Sequence, residues 1–526
     1  MSENNGNMMS RNIRNAYRYG QEDETMSPYV LTDQAGTPLG RFKPGDGVIF
    51  SNIRGEREIE LTRSLTEADF TEFPTAPGLN LTFATMIEYQ KGLRVYPAFP
   101  PDGVVEDTLS ETISRHGLRQ LKITEAEKSF HVRYFFNGRR EIPFSGEDLI
   151  VIPTRKDVAL FDEAPEMSID ELTEGILASI RDDKHDFILA NIPNVDVVGH
   201  IENEAAVITA IEAVDRAAGI VIREAQMAGI TVIVTADHGS VEQWYYPDGT
   251  VDTGHSANPV PFVLLHRDNL PLGGPGELTD VAPTVLHLLG VTKPAAMTGS
   301  SLLACDPQKP SRRVLLLLLD GWGFREDPRD NLIARAATPV MDRIWREYPR
   351  TTLEAAGLSV GLPAGTSGNS EAGHIHLGAG RRLYSDRVRI DLSIENGSFF
   401  RNEAFREVMG QVKKRGKALH LLGIVSFFSS HGSIEYLYAL LEMARREKLP
   451  EVYIHAMLGR RGELPESGAH YLERVEERAA MLGVGELVSV IGRYWSLDRE
   501  ENWDRIEKTY RMLVYGEGEK IRLGEN

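Results

Sequence analysis

The sequence predicts an α/β fold, a doubly wound sheet domain accompanied by a second α/β domain. Three observations lead there. Short apolar runs alternate with stretches whose apolar residues recur at three and four positions, the pattern of strands joined by helices. The chain has 526 residues, more than one hydrophobic core sustains, so two domains are expected. Acidic and histidine side chains recur just after the apolar runs, where open α/β sheets place their sites.

In chain order, strands are expected at 47–53, 187–193, 231–236, 260–265, 313–320, 418–425, 452–458 and 487–493. The run "RVLLLLLD" at 313–320 is too short to span a bilayer and suits a central strand, buried on both faces. Amphipathic helices are expected over 205–229 and 434–448. The polar stretch "ACDPQKPSRR", with two prolines, reads as a linker, taken as 306–312. The tails 1–10 and 516–526 are expected to fray.

Composition narrows the function. Hydrophobic residues make up 41% and charged residues 26%, as in ordinary globular proteins. A formal net charge of −19 argues against nucleic-acid partners and offers nothing to an anionic membrane. Any anionic substrate must then find its positive charge in local arginines or metals. The single cysteine, Cys305, excludes an intrachain disulfide. The first twenty residues are polar with no apolar core, and no stretch of eighteen apolar residues occurs. A cytoplasmic monomer with no membrane partner is the expectation.

Five places bring ligand-type residues to strand ends. "NIPNVDVVGH" offers Asp196 and His200, four apart and so on one side of a helical turn. "TADHGS" offers Asp237 and His238, "DTGHSANPVP" offers His255, and "LLLLLDGWGF" offers Asp320. "PAGTSGNSEAGH" offers Ser370 among small residues that let a backbone approach closely. Singly, each serves equally well as a cap, a hydrogen-bonded histidine or a loop serine. Together they make three aspartates, three histidines and a serine, a set suited to two divalent cations and a hydroxyl nucleophile. Asp237, His238, Asp320 and Ser370 would hold one cation, and Asp196, His200 and His255 the other. Manganese is the first choice, with zinc and magnesium also suited to a mixed oxygen and nitrogen set.

These motifs resemble the cofactor-independent (2,3-bisphosphoglycerate-independent) phosphoglycerate mutases of the alkaline phosphatase superfamily, which carry "DGWG", "GNSE-GH", "D--GH", "ADHGN" and "H-S-NPVP". The resemblance covers nearly the whole chain. It implies an alkaline-phosphatase-like metal domain, a phosphoserine intermediate at Ser370, and 2- and 3-phosphoglycerate as substrates. The order of motifs is exchanged, however: "ADHGS" precedes "DGWG" here. A circular permutation is therefore expected, with the metal domain at 104–305 and 313–384 and the substrate-binding domain at 1–103 and 385–526.

The resemblance further implies Lys128 and His431 as catalytic residues and Arg54, Arg57, Arg461, Arg493 and Arg499 as the grip on a small anionic phosphate or phosphonate. Two departures bear on the substrate. Phe427, Phe428 and Ser433 replace residues of the pattern "LSDGGVHSH", and Gly462 stands where a carboxylate is expected to contact the glycerate. A phosphoryl or phosphonyl transferase on another small molecule, or a metal-dependent phosphatase, is the alternative; an inactive scaffold sits poorly with seven ligand positions intact.

Overall fold

All eight expected strands form, each overlapping its expected range, and among the described residues eight more join them. The computed structural model describes residues 7–426, 429–459 and 466–524. The first four strands are β1 (Tyr29–Thr32), β2 (Gly47–Phe50), β3 (Thr82–Ile87) and β4 (Tyr96–Phe99). Next come β5 (Gln120–Glu125), β6 (Glu147–Ile152), β7 (Phe187–Ile192), β8 (Thr231–Thr235), β9 (Val260–Leu265), β10 (Gly276–Glu277), β11 (Val314–Leu319) and β12 (Arg350–Glu354). The last four are β13 (Leu419–Ile424), β14 (Val452–Leu458), β15 (Glu486–Gly492) and β16 (Glu519–Arg522).

The chain divides into two units, 1–101 with 389–526, and 102–388. The first holds a sheet of order β16-β1-β15-β14-β13-β2-β3-β4, parallel throughout except between β1 and β15. The second holds β10-β12-β9-β8-β11-β7-β5-β6, in which β9 runs antiparallel to both neighbours. Each unit has its own apolar core. Among the described residues no helix is long and apolar enough to cross a membrane.

The "RVLLLLLD" run becomes β11, buried along its whole length between β8 and β7. The expected helices appear as Glu204–Met227 and Ile434–Glu447. Residues 306–312 lie inside the second unit and are tied down: the Ser311 amide donates to the Leu288 carbonyl at 2.6 Å. Next to it the Arg313 guanidinium donates to the carbonyls of Ser179, Ile180 and His185. The tails differ from expectation. A helix, Met8–Arg18, begins inside the first, and in the second β16 pairs with β1, because partnering by a strand satisfies backbone groups that a polar sequence alone does not promise.

Strand β5 escaped the apolar pattern because Lys122, Thr124 and Glu125 lie on it, and all three are buried. The Lys122 ammonium donates to Glu147 at 2.8 Å and to Asn137, and the Asn137 amide donates to Glu147 at 2.9 Å. Burial pushes the Lys122 amine down to about 8, with Glu147 pulling the other way. Between that value and the ordinary 10.5, the unfolded chain holds a proton the folded chain has released, so this group's contribution to stability rises with pH. Relative to Lys122→Met, wild type should gain up to ~3 kcal/mol across the window in urea unfolding. Parallel curves would contradict the account. Glu147→Gln, which strands the ammonium, should cost ~3–5 kcal/mol at neutral pH.

Candidate metal centre and anion site

Four neighbouring strands of the second unit, in the order β8-β11-β7-β5, run parallel and end on the same edge. Asp237 and His238 follow β8, Asp320 follows β11 directly, the helix Asn194–Gly199 carries Asp196 after β7, and Lys128 follows β5. His255 arrives from the loop before β9. Ser370 is the first residue of the helix Ser370–Ala379, whose cap is the Asn369 side chain accepting from the Ala372 amide. Gly373 lets this helix press on the β8 end: a Cβ there would overlap the Asp237 backbone.

The Lys128 ammonium donates to Asp196, Asp320 and Ser370 Oγ, each at 2.6 Å. His238 Nε2 lies 3.0 Å from Ser370 Oγ, and His255 Nε2 lies 3.0 Å from Asp196 Oδ1. The rings of His238 and His255 stack at 4.0 Å. His200 Nε2 is 3.2 Å from His255 Nε2 and 3.4 Å from Asp196 Oδ1. All seven expected ligands and Lys128 therefore converge. Burial is graded: Asp237, His238 and Asp320 are fully buried, while His200 is exposed at the rim.

The group fits divalent cations on its own chemistry. His200, His238 and His255 each place Nδ1 on a main-chain carbonyl, those of Thr253, Gly239 and Gly368. Such a partner can only accept, so Nδ1 carries a proton and Nε2 is the nitrogen left facing the acids, the atom that a cation would take as ligand. Three buried carboxylates meet a single ammonium. Two triads bring their ligand atoms within 4.8 Å, Asp196 with His238 and His255, and Asp237 with His238 and Asp320, so His238 belongs to both.

Charge sets the protonation states. Burial opposes the charge on Lys128, but Asp320, Asp196 and Asp237 outweigh it and hold the ammonium above its ordinary value. Asp320 is pushed up by burial and by Asp237 beside it. Burial also opposes charge on Asp196, which Lys128 nevertheless holds well below the usual carboxylate range.

A second concentration of charge lies in the first unit. Arg54 and Arg499 share Glu56, at 2.8 and 2.9 Å, and Arg493 contacts Glu24 at 2.8 Å. Arg57 donates to the Leu497 carbonyl at 3.0 Å, and burial followed by repulsion from Arg499, Arg493 and Arg54 lowers its pKa. Four arginines from two distant segments thus gather, with two carboxylates between them. His431 Nδ1 is 3.1 Å from Glu58, a fully buried carboxyl whose pKa burial raises. Arg461, Gly462, Phe427 and Phe428 lie outside the described residues.

A family model described as the metalloenzyme superfamily matches residues 6–293. The chain belongs to this superfamily. The superfamily match contains Lys128, Asp196, His200, Asp237, His238 and His255, and agrees with the donor set on a divalent metal. A second model, described as the BPG-independent PGAM N-terminus, matches residues 390–525. Among curated proteins, 2,3-bisphosphoglycerate-independent phosphoglycerate mutases of Syntrophotalea carbinolica and Moorella thermoacetica are each 41% identical, over 55% and 56% of this chain and 56% and 57% of theirs. One from Shewanella sp. strain ANA-3 is 42% identical over 55% of each. The chain thus spans about half the length of the relatives it matches. A solved phosphoglycerate mutase of Leishmania mexicana, at low cobalt concentration, is 27% identical over 52% of this chain and 53% of its own, with a TM-score of 0.35.

Sequence reading missed several supports. Asn191 donates to Asp320 at 2.7 Å and lies 3.1 Å from His374, and His374 Nδ1 lies 2.9 Å from the Ser370 carbonyl and 3.2 Å from Asp237. His374 was findable, four residues after Ser370 on one helix face. Asn191, within an apolar strand, carried no signal. Asp196→Asn should lower affinity for manganese or zinc at least ~10-fold, read by elemental analysis after dialysis; unchanged occupancy would remove Asp196 from the ligand set.

Proposed function

We propose that the protein transfers a phosphoryl group through a phosphoserine at Ser370, interconverting 2- and 3-phosphoglycerate. One observation carries this reading: Ser370 Oγ, at a helix N-terminus, touches Lys128 at 2.6 Å and His238 at 3.0 Å beside three convergent aspartates. The names of the 41–42% identical relatives support it.

Two divalent cations, manganese by preference, would be held by Asp196, His200 and His255 and by Asp237, His238, Asp320 and Ser370; they would neutralise phosphoryl oxygens and acidify the serine hydroxyl. Ser370 Oγ gives up its proton and forms the bond to phosphorus as the ester P–O bond breaks, that proton passing to the leaving glycerate oxygen. The other hydroxyl of the same glycerate then attacks phosphorus as the Ser370 Oγ–P bond breaks, and its proton returns to Ser370 Oγ. Lys128 places positive charge against Oγ throughout, and the helix N-terminus adds its partial charge. In this reading Arg54, Arg57, Arg493 and Arg499, with Arg461, recognise the anionic oxygens, and His431 contacts the substrate with its ring aimed by Glu58. We place the enzyme in the cytoplasm as a monomer.

A circular permutation belongs to the same proposal, with the metal domain at 104–305 and 313–384. Its supports are the order of the family matches, in which the segment likened to an N-terminus comes last, and the pairing of β1 with β16, which brings residues 29–32 beside residues 519–522. A chain reopened at 306–312, with its present ends joined by a flexible linker, should fold and retain activity; an insoluble or inactive product would count against the permutation.

Transfer to another small phosphate or phosphonate is the second reading, favoured by Gly462 in "MLGRRGELP", which offers no carboxylate. Product analysis decides. Manganese-loaded protein should convert 3- to 2-phosphoglycerate at ~1–10³ per second, and Ser370→Ala should lose ~10³-fold or more while still taking up metal on the remaining aspartates and histidines. A trace rate with wild type would favour the second reading, and turnover by Ser370→Ala would exclude the phosphoserine.

A further inference from the structure

The segments bearing three groups of expected ligands close on one carboxylate that is not itself a ligand. Glu242 is fully buried. Its Oε2 accepts from the Ser240 amide at 2.8 Å, in the turn that follows Asp237 and His238. Its Oε1 accepts from the Ser256 hydroxyl and from the Asn258 amide at 3.0 Å, both on the segment that begins with His255. A backbone bridge between Gly239 and Ser256 joins the same two segments. The third segment, "DGWG" after β11, reaches Glu242 at Gly323, where a Cβ would overlap the carboxylate. A Cβ at Gly239 would meet Glu242 and Ser256 at once.

We infer that Glu242 is a positioning residue for the metal centre, setting the separation of the His238 and His255 rings and the approach of the Asp320 segment; this rests on the metal reading above. The physical case is one of acceptor supply. Three neutral donors on two segments converge on a buried group whose oxygens can accept them all, and an ionised carboxylate does so more strongly than a neutral amide. A glutamine presents a donor in place of one acceptor, so Ser240, Ser256 and Asn258 can no longer all be satisfied. The segments must shift, and the stacked rings at 4.0 Å shift with them. The two glycines follow from the same requirement, since each stands where a side chain would displace the carboxylate.

Cobalt(II) titration of the metal-free full-length protein tests this, with binding followed by calorimetry and geometry by the visible absorption of the bound ion. Glu242→Gln should bind cobalt ~10-fold to 100-fold more weakly than wild type with an altered spectrum. Ser256→Ala, which removes a single donor, should move both readouts in the same direction by less, and it carries the test if Glu242→Gln does not fold. A purely structural role would lower the melting temperature of the metal-free variants and leave cobalt affinity and spectrum unchanged; that result would overturn the inference. Wild type that takes up no cobalt would overturn the metal reading and this inference together, whereas normal uptake by wild type and variants alike would overturn only the inference.

Discussion

Asp196, Asp237 and Asp320 repel one another, yet the second unit holds all three in contact with a few shared groups, and much of its architecture answers that constraint. Parallel strands deliver them to one edge, because only parallel neighbours end together. Lys128, in the turn that follows β5, reaches two of the three at 2.6 Å. The histidines rest their Nδ1 protons on carbonyls and turn Nε2 to the acids. What remains is an excess of buried carboxylate over the one ammonium. In a low-dielectric interior that excess is costly, and a bound cation relieves it.

The first unit solves the opposite problem. Its arginines come from the segment around residue 54 and from the segment after β15, and the parallel sheet brings β2 and β15 into one layer with β13 and β14 between them. Glu56 and Glu24 offset only part of the positive charge. An overall charge of −19 therefore coexists with a local cationic patch. The two places share a logic: like charges are concentrated with few counter-charges, an arrangement that a ligand of opposite sign would relieve.

Legibility in the sequence followed burial pattern. Strands β7, β8, β9, β11 and β13 are buried along their whole length and so are written as apolar runs. Strand β5 is equally buried but carries Lys122 and Glu125, and β16 exposes three of its four residues; neither has the pattern that betrays a strand. Of the expected metal ligands, Asp196, Asp237, His238 and Asp320 were readable because they lie just past apolar strand ends. Glu58 and Glu242 were not, because a glutamate on a helix or in a loop looks like a surface charge until its burial and partners are seen.

The sequence by itself determined the α/β class and the central strands and pointed to the candidate ligand set, since each strand and each ligand-bearing motif is written in residue types within a few positions of one another. Tertiary structure alone decided which ring nitrogens face the acids, that His238 is common to both triads, and that Glu242 meets three segments. It also decided that β1 and β16, far apart in the chain, pair in one sheet. Those facts depend on pairings between residues tens to hundreds of positions apart, and such pairings are settled by strand order and buried polar satisfaction, which local sequence pattern does not specify.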